Sequence, residues 1–302
     1  ILHRLREKGH QALLVGGCVR DQLLDLPVNK PKEYDIATSA TPDEIMTLFE
    51  HTVPVGAQFG VVLVLQEDGE YEVATFRKDQ TYVDGRHPEA VSYSKDPRED
   101  ASRRDFTING LFFDPVEKKV LDFVGGEKDL KAKTLRAIGG ARERLREDHL
   151  RIMRALRFAA RLGFDIHPAT ADAARELAPL SVEVSAERLR DELVKMLTAG
   201  PAARAVEWMQ DFGVLHYVLP EVEAMIGVEQ PPEFHPEGDV YTHTLLLLRQ
   251  LKEPSVTLAF GALLHDVGKP PTFKVKERIR FDGHTEVGAR MSDQILRRLN
   301  FP

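Results

Sequence analysis

Glu33 and Asp35 stand one residue apart near the start of the chain, in the stretch LLVGGCVRDQLLDLPVNKPKEYDIAT that runs from Leu13 to Thr38. On a strand, that spacing turns both carboxylates to one face. Two like charges so close repel each other unless a cation lies between them. Mg²⁺ suits such a pair, because it takes oxygen ligands and keeps room for substrate phosphates. A few residues earlier, Gly16-Gly17 follows the short apolar strand Leu13–Val15. Glycines placed there let backbone N–H groups approach an anion. Arg20-Asp21 then falls on a helix start. The glycines alone would fit an ordinary turn. Together with the Arg-Asp and acidic pairs they describe a phosphate cradle and a metal site within one strand–turn–helix–strand unit.

Other residues with chemical potential follow along the chain. Glu72 lies on the strand Tyr71–Arg77 and shares a face with Ala74 and Phe76. An acid there is either an edge residue meeting water or a third active-site carboxylate. In RRDFTIN, Arg104 can grip phosphate or sugar oxygens with its planar fork, and Asp105 can accept from ribose hydroxyls. The segment Ala141–Leu162 reads as one helix with an apolar stripe of Leu145, Ile152, Leu156 and Ala159. Glu147-Asp148, Arg151, Arg154, Arg157 and Arg161 recur on it at three- and four-residue steps. By themselves they fit a solvated face of ion pairs, each worth about 0.2–0.5 kcal/mol. Toward the end, His243, His265-Asp266 and His284 are metal ligands if they converge.

The elements that must hold these residues are mostly short. Leu2 and Leu5 with a Gly9 stop predict a first helix within Ile1–His10. Thr41-Pro42-Asp43-Glu44 predicts a capped helix start. Val53–Leu65 reads as strand, turn, strand, and Asp68-Gly69 as the hairpin turn before Tyr71–Arg77. From Asp79 to Asp100 the sequence reads as a long loop. Ser185–Leu197 is a further capped helix, and from Pro201 onward the chain reads all-helical.

The 302 residues suffice for two or three domains. A formal net charge of −7 excludes a uniformly nucleic-acid-binding surface, so any RNA site must be a local basic patch. The single cysteine, Cys18, excludes an internal disulfide framework and fits a reducing, cytoplasmic compartment. No signal peptide or membrane span is evident. A start at Ile1 and a stop at Phe301-Pro302 suggest a fragment or a processed chain.

The stretch from Gly16 to Thr38 resembles motif A of the class II tRNA nucleotidyltransferase/poly(A) polymerase family, a branch of the DNA polymerase β superfamily. Glu33 stands where that family usually has Asp. RRDFTIN resembles its motif B, and Asp122-Phe123 with Gly125–Leu130 its motif C, a hinge. Glu147-Asp148-x-x-Arg151 resembles motif D, and the helix after Ser185 motif E. The pattern His243…His265-Asp266 resembles the HD metal-dependent phosphohydrolases, without a clear final Asp.

The resemblance implies an α+β fold: a polymerase-β-like head over residues 1–135, a helical neck over 136–200 and an HD-like helical body over 201–302. It implies that Glu33 and Asp35, with Glu72 assisting, bind Mg²⁺ for two-metal nucleotidyl transfer. Gly16, Gly17 and Arg20 would contact the triphosphate, and Arg104 and Asp105 the ribose. Asp148 and Arg151 would read the base, preferring C and A through an exocyclic amine. Arg154 and Arg157 would face triphosphate or primer. The expected activity is CCA addition to the tRNA 3′ end from CTP and ATP. The loop after Asp79 is not shortened, which fits A addition. A poly(A) polymerase, a CC-only or A-only enzyme, and an HD phosphohydrolase are the alternatives. A second divalent metal at His243, His265, Asp266 and His284 is a further expectation.

Overall fold

Residues 1–26, 34–56, 59–79 and 91–302 are described by the computed structural model. Glu33 and most of the long loop after Asp79 therefore lie outside the described residues. The chain divides into two units, Ile1–Asp148 and His149–Pro302.

In the first unit the elements run α1 (Leu2–Glu7), β1 (Ala12–Val15), α2 (Gly17–Leu23), β2 (Asp35–Thr38), α3 (Pro42–Leu48), β3 (Thr52–Gly56), β4 (Val61–Gln66) and β5 (Gly69–Thr75). There follow β6 (Arg77–Asp79), β7 (Val91–Tyr93), α4 (Pro97–Ser102), a 3₁₀ turn at Thr107–Asn109, β8 (Leu111–Asp114), β9 (Lys119–Asp122), α5 (Gly126–Lys131) and α6 (Ala141–Glu147). Seven strands form one sheet in the order β3-β4-β5-β2-β1-β8-β9. Its centre is buried on both faces, which is why β1 and β2 read as near-continuous apolar runs. One face packs Leu13, Val15, Ala37, Phe76, Ala101 and Phe112. The other packs Ile36, Val62, Val64 and Val73 against Leu5, Ile45 and Phe49.

Register follows from that alternation. Val15 opposes Asp35 in the antiparallel β1–β2 pair, and Asp35 opposes Glu72 in the parallel β2–β5 pair. Paired residues share a face, so both acids stand at the end of the Val15–Ala37–Phe76 face. The helix predicted after Thr41 forms as expected. Thr41 N–H donates to Glu44 Oε2 at 2.8 Å, Glu44 N–H returns to Thr41 Oγ1 at 3.4 Å, and Pro42 takes the first position. This reciprocal cap is worth about 1 kcal/mol and seats Ile45 in the core.

Three local expectations are corrected. The β4–β5 hairpin pairs Gln66 with Gly69, so Glu67-Asp68 form the turn, one residue earlier than expected. Gly69 itself has φ 154°, a conformation that side chains rarely adopt. The stretch from Asp79 to Asp100 is not loop throughout: β6 pairs with β7, and Pro97 opens α4 under an Asp96 cap. The helix expected over Ala141–Leu162 is two helices, because Asp148 takes an extended conformation (φ −150°, ψ 107°). Asp is a poor helix former whose side chain competes for the backbone, so a break costs least there.

The second unit contains α7 (Leu150–Leu162), α8 (Pro168–Leu177), a 3₁₀ segment (Ala178–Glu183), α9 (Ala186–Thr198), α10 (Ala202–Asp211), α11 (Val214–Val218) and α12 (Pro220–Glu223). It continues with α13 (Val240–Gln250), α14 (Val256–Leu264), α15 (Lys269–Thr272) and α16 (His284–Arg298). Gly163 ends α7 in the left-handed conformation, with Phe164 N–H bonded back to Ala159. Ser185 precedes α9 as expected, but its side chain makes no capping bond. The region beyond Pro201 is helical except for one hairpin, Phe273–Val275 against Ile279–Phe281.

Gly268, just after His265-Asp266, meets the start of α16 backbone to backbone. A Cβ there would lie 2.1 Å from the His284 carbonyl oxygen and 2.5 Å from Gly288 N. Gly268→Ala is therefore expected to cost about 1–3 kcal/mol by overpacking. A thermal melt with no loss of midpoint would contradict that close approach.

Candidate active site

The turn between β1 and α2 forms where the sequence places a glycine turn. Gly16 has φ 78° and ψ −131°, and its N–H bonds the Leu111 carbonyl at 3.1 Å. A Cβ on Gly16 would point 3.3 Å from Arg104 Nη1 and 3.6 Å from Asp35 Oδ2. Glycine is thus required both for the conformation and for the approach of two opposite charges. Cys18 in the same turn is buried, with Sγ 3.3 Å from the Val15 carbonyl, and burial pushes its thiol pKa up. It is a packing residue rather than a poised nucleophile.

Asp35 lies at the mouth of this turn. Burial and then the charge of Glu72 raise its pKa to about 6, against the opposing pull of Arg104. A carboxylate in this setting is short of positive charge, and its partner Glu72 is exposed and paired with it in the ladder. The donor set therefore fits a hard divalent cation such as Mg²⁺.

Arg104 is held by a residue that sequence reasoning did not single out. Asp100, 1% exposed, accepts from Arg104 Nε and Nη2 at 3.2 and 2.9 Å and from Arg103 Nη2 at 2.7 Å. Burial works against ionising Asp100, but the charges of Arg104 and Arg103 and their hydrogen bonds reverse it, leaving the pKa lowered. The guanidinium of Arg104 also lies over the Phe112 ring, 5.5 Å from its centre. Ion pair and ring together fix its direction toward Gly16.

A second unforeseen residue is Asn109. Its Oδ1 accepts from Arg20 Nη1 at 2.6 Å, and its Nδ2 donates to Asp105 Oδ1 at 3.0 Å. Arg20 is buried at 2% exposure and also bonds Asp21 at 2.7 Å. Gly17 lies beside it, since a Cβ there would be 3.6 Å from Arg20 Nη2. The structure thus links Asp21, Arg20, Asn109 and Asp105 in one buried chain. Arg20 enters this site as a group bound within the protein.

Motif C is locked to motif B by side chains. Asp129 accepts from Thr107 Oγ1 at 2.8 Å and from Arg136 Nε at 2.9 Å. Asp122 receives the backbone N–H groups of Val124, Gly125, Gly126 and Glu127, which start α5. Arg144 of α6 donates to the carbonyls of Ser102, Arg103 and Ile138, tying that helix to the Arg103-Arg104 segment.

Asp148 ends the first unit, and Arg151 lies in the first turn of α7 in the second, only 8% exposed. Arg157 is also buried, its Nε 2.5 Å from Glu192 Oε2 of α9. Arg154 is more open, with Nη1 3.9 Å from Glu192 Oε1. Both guanidiniums lie near the Phe158 ring, Arg157 at 4.2 Å and Arg154 at 5.3 Å.

In the second unit, one potential ligand atom from each of His243, His265 and Asp266 lies within 4.8 Å of the others. His284 does not belong to that group; its Nδ1 bonds the Phe281 carbonyl at 2.8 Å. A second group, His235, Glu237 and His243, shares one histidine with the first. His235 and Glu237 carry no recognisable motif, and only their place in the fold reveals them.

A mixed sheet presenting an acid pair beside a glycine turn, followed by helices, defines a polymerase-β-like nucleotidyltransferase head with a largely helical continuation. The chain belongs to the tRNA nucleotidyltransferase/poly(A) polymerase family. Residues 12–136 match the Poly A polymerase head domain, 163–226 the probable RNA and SrmB-binding site of polymerase A, and 239–301 the HD domain. A CCA-adding enzyme of Streptococcus pyogenes serotype M5 (strain Manfredo) is 49% identical over 199 residues, 66% of this chain and 48% of that protein. The chain spans about half the length of the curated relatives it matches. The crystal structure of the Bacillus stearothermophilus CCA-adding enzyme in complex with CTP aligns with a TM-score of 0.70 and 31% identity, covering 99% of this chain and 67% of that one. A tRNA nucleotidyltransferase complexed with a primer tRNA and an incoming ATP analog aligns at 0.60 and 26% identity, over 82% of this chain and 73% of that one. Among the described residues, no helix is long and apolar enough to cross a membrane.

Proposed function

We propose that this chain adds C and A nucleotides to the 3′ end of tRNA without a nucleic-acid template. The tRNA 3′-hydroxyl oxygen attacks the α-phosphorus of CTP or ATP, and pyrophosphate leaves with the bond electrons. The observation that carries this reading is the meeting of Gly16, Asp35 and Arg104, with Glu72 beside Asp35 in the ladder. The identity to CCA-adding enzymes, one solved with CTP, supports the choice of substrates.

Asp35 and Glu72, together with Glu33, would hold Mg²⁺. Bound there, the ions would neutralise triphosphate charge and ease deprotonation of the attacking hydroxyl. The chain's own groups divide the remaining work. Gly16 and Gly17 open the turn to the triphosphate. Asp100 aims Arg104, and Asn109 fixes Asp105, toward ribose and phosphate oxygens. Arg20 supports the cradle through its buried links. Asp148 and Arg151 would read the base edge, with Arg154 the more accessible arginine toward triphosphate or primer. The head would span residues 1–135, the neck 136–200 and the body 201–302; the tRNA acceptor end would lie along the neck, and the chain would act in the cytoplasm.

The decisive assay supplies labelled tRNA lacking CCA with CTP alone, with ATP alone and with both together, beside a tRNA already ending in CC. CTP incorporation followed by a single A supports the proposal. Use of ATP alone in long runs would make the chain a poly(A) polymerase, and arrest after two Cs or refusal of CTP would make it a CC-only or A-only enzyme. Asp148→Ala is expected to relax the preference for C and A over U and G by roughly tenfold or more, the loss of one to two kcal/mol of hydrogen bonding. Unchanged nucleotide choice in that variant would remove Asp148 from the base-reading role.

The His243–His265–Asp266 group favours a second site. We infer a divalent metal there, in keeping with an HD phosphohydrolase lineage. Release of phosphate from phosphomonoesters or cyclic nucleotides by the purified chain is its direct test, and an inert chain would remove the hydrolytic reading.

A further inference from the structure

The second unit holds one arrangement that the HD pattern does not account for. Glu237 lies on the loop ahead of α13, and its Oε1 is 2.6 Å from His243 Nδ1 and 3.0 Å from His235 Nδ1. The loop is built rather than free. Asp239 accepts from Thr242 N–H at 2.7 Å and from Gly227 N–H at 2.6 Å, and Gly238 turns the chain at φ 122°.

We propose that Glu237 is the positioning residue that prepares His243 to bind a transition-metal ion together with His265 and Asp266. The inference rests on the second metal site read above and adds its orienting group. A ring nitrogen facing a carboxylate or a carbonyl carries the proton, and the other nitrogen is then the lone-pair donor. Glu237 imposes that state on His243. The Ala262 carbonyl, 2.9 Å from His265 Nδ1, imposes it on His265. One ring nitrogen of each imidazole lies within 4.8 Å of the other and of an Asp266 oxygen, and Nε2 is the nitrogen that the Glu237 and Ala262 contacts leave to an ion. Asp266 is 4% exposed, and its Oδ2 lies 3.1 Å from His265 Nε2 and 2.7 Å from Lys269 Nζ. Those contacts are close in distance but off the line of a hydrogen bond, so the oxygen keeps acceptor capacity. Lys269 has a second seat on Gln230 Oε1 at 2.7 Å and can leave the carboxylate to an incoming cation.

Two imidazoles and one carboxylate select Mn²⁺, Co²⁺, Ni²⁺ or Zn²⁺ over Mg²⁺ or Ca²⁺. The site would thus differ in metal from the all-oxygen head. The other triad, His235–Glu237–His243, cannot be filled at the same time through one neutral imidazole. Glu237 is therefore assigned to hold His243, and His235 to accompany it.

The test is calorimetric titration of the metal-free full chain with Ni²⁺, with a thermal melt for each variant. The wild type is expected to bind one Ni²⁺ in this unit, and His265→Ala to lose it. Glu237→Gln is expected to keep the stoichiometry but weaken binding about 10- to 100-fold. Glu237→Asp should recover part of the affinity, which separates orientation from folding damage. His235→Ala should stay within about threefold of wild type on the same grounds. Wild-type affinity in Glu237→Gln would overturn the positioning role while leaving the metal site standing. Loss of Ni²⁺ in His235→Ala with retention in His265→Ala would move the ion to the other triad. No Ni²⁺ bound by the wild type would end the underlying reading as well.

Discussion

Asp35→Asn is expected to lower nucleotide addition about 10³-fold or more, for C and A alike. A carboxylate that holds a catalytic cation contributes several kcal/mol of charge stabilisation, and each 1.36 kcal/mol is tenfold in rate. Asparagine keeps the size and removes the charge. The same substitution is expected to stabilise the metal-free protein at neutral pH. The folded pKa of Asp35 is raised from 3.8 to about 6, first by burial and then by Glu72. A raised carboxyl binds its proton more tightly folded than unfolded. Below pH 4 both states are protonated and the residue costs nothing. As pH rises through the interval from about 4 to 6 the folded state loses stability, up to about 1–3 kcal/mol above pH 6. Thermal melts without metal should show this decline in the wild type and its absence in Asp35→Asn. Mg²⁺ should restore wild-type stability, and its binding should weaken below pH 6 as the proton competes. A variant that is both inactive and less stable at pH 7 would mean that Asp35 supports the fold rather than the ion.

Much of this site was legible because its signals are local. The Gly16-Gly17 turn, the Thr41–Glu44 cap and the Asp35 strand follow from residues within a few positions of one another. Glu72 was legible only as an acid on an apolar face; its pairing with Asp35 is a property of parallel register, which strand periodicity does not reveal. Asp100 and Asn109 escaped notice for a related reason. Each is an ordinary polar residue in sequence, and its role is defined by what it meets when buried. The arginines of α7 show the reverse error. Their spacing correctly places several on one face, but periodicity cannot say that Glu192 of α9 faces Arg157. The break at Asp148 was hidden by strong helix formers on both sides, in RERLRE and LRIMRALRFAARL.

Glu192→Ala is expected to destabilise the second unit strongly. Glu192 is 2% exposed and Arg157 8%, with 2.5 Å between Oε2 and Nε. Removing the acid leaves a buried guanidinium without that partner, at a cost of about 3–5 kcal/mol. For a unit of this size that corresponds to a midpoint lower by roughly 10 °C. Arg154 and Lys195 also lie within ion-pair distance of Glu192, at 3.9 and 3.7 Å, but both are more exposed and contribute less. The double replacement Arg157→Met with Glu192→Leu separates the two roles open to Arg157. A matched apolar pair of similar volume is expected to return most of the lost stability, since desolvating two charges offsets much of their attraction. If nucleotide addition returns with it, Arg157 serves the site by packing α7 against α9. If the midpoint returns and addition stays lost, the guanidinium itself touches triphosphate or primer, and the buried ion pair is the resting arrangement of a working group. A double variant no more stable than Glu192→Ala would refute the ion-pair account, because the cost would then lie in packing volume rather than in the lost ion pair.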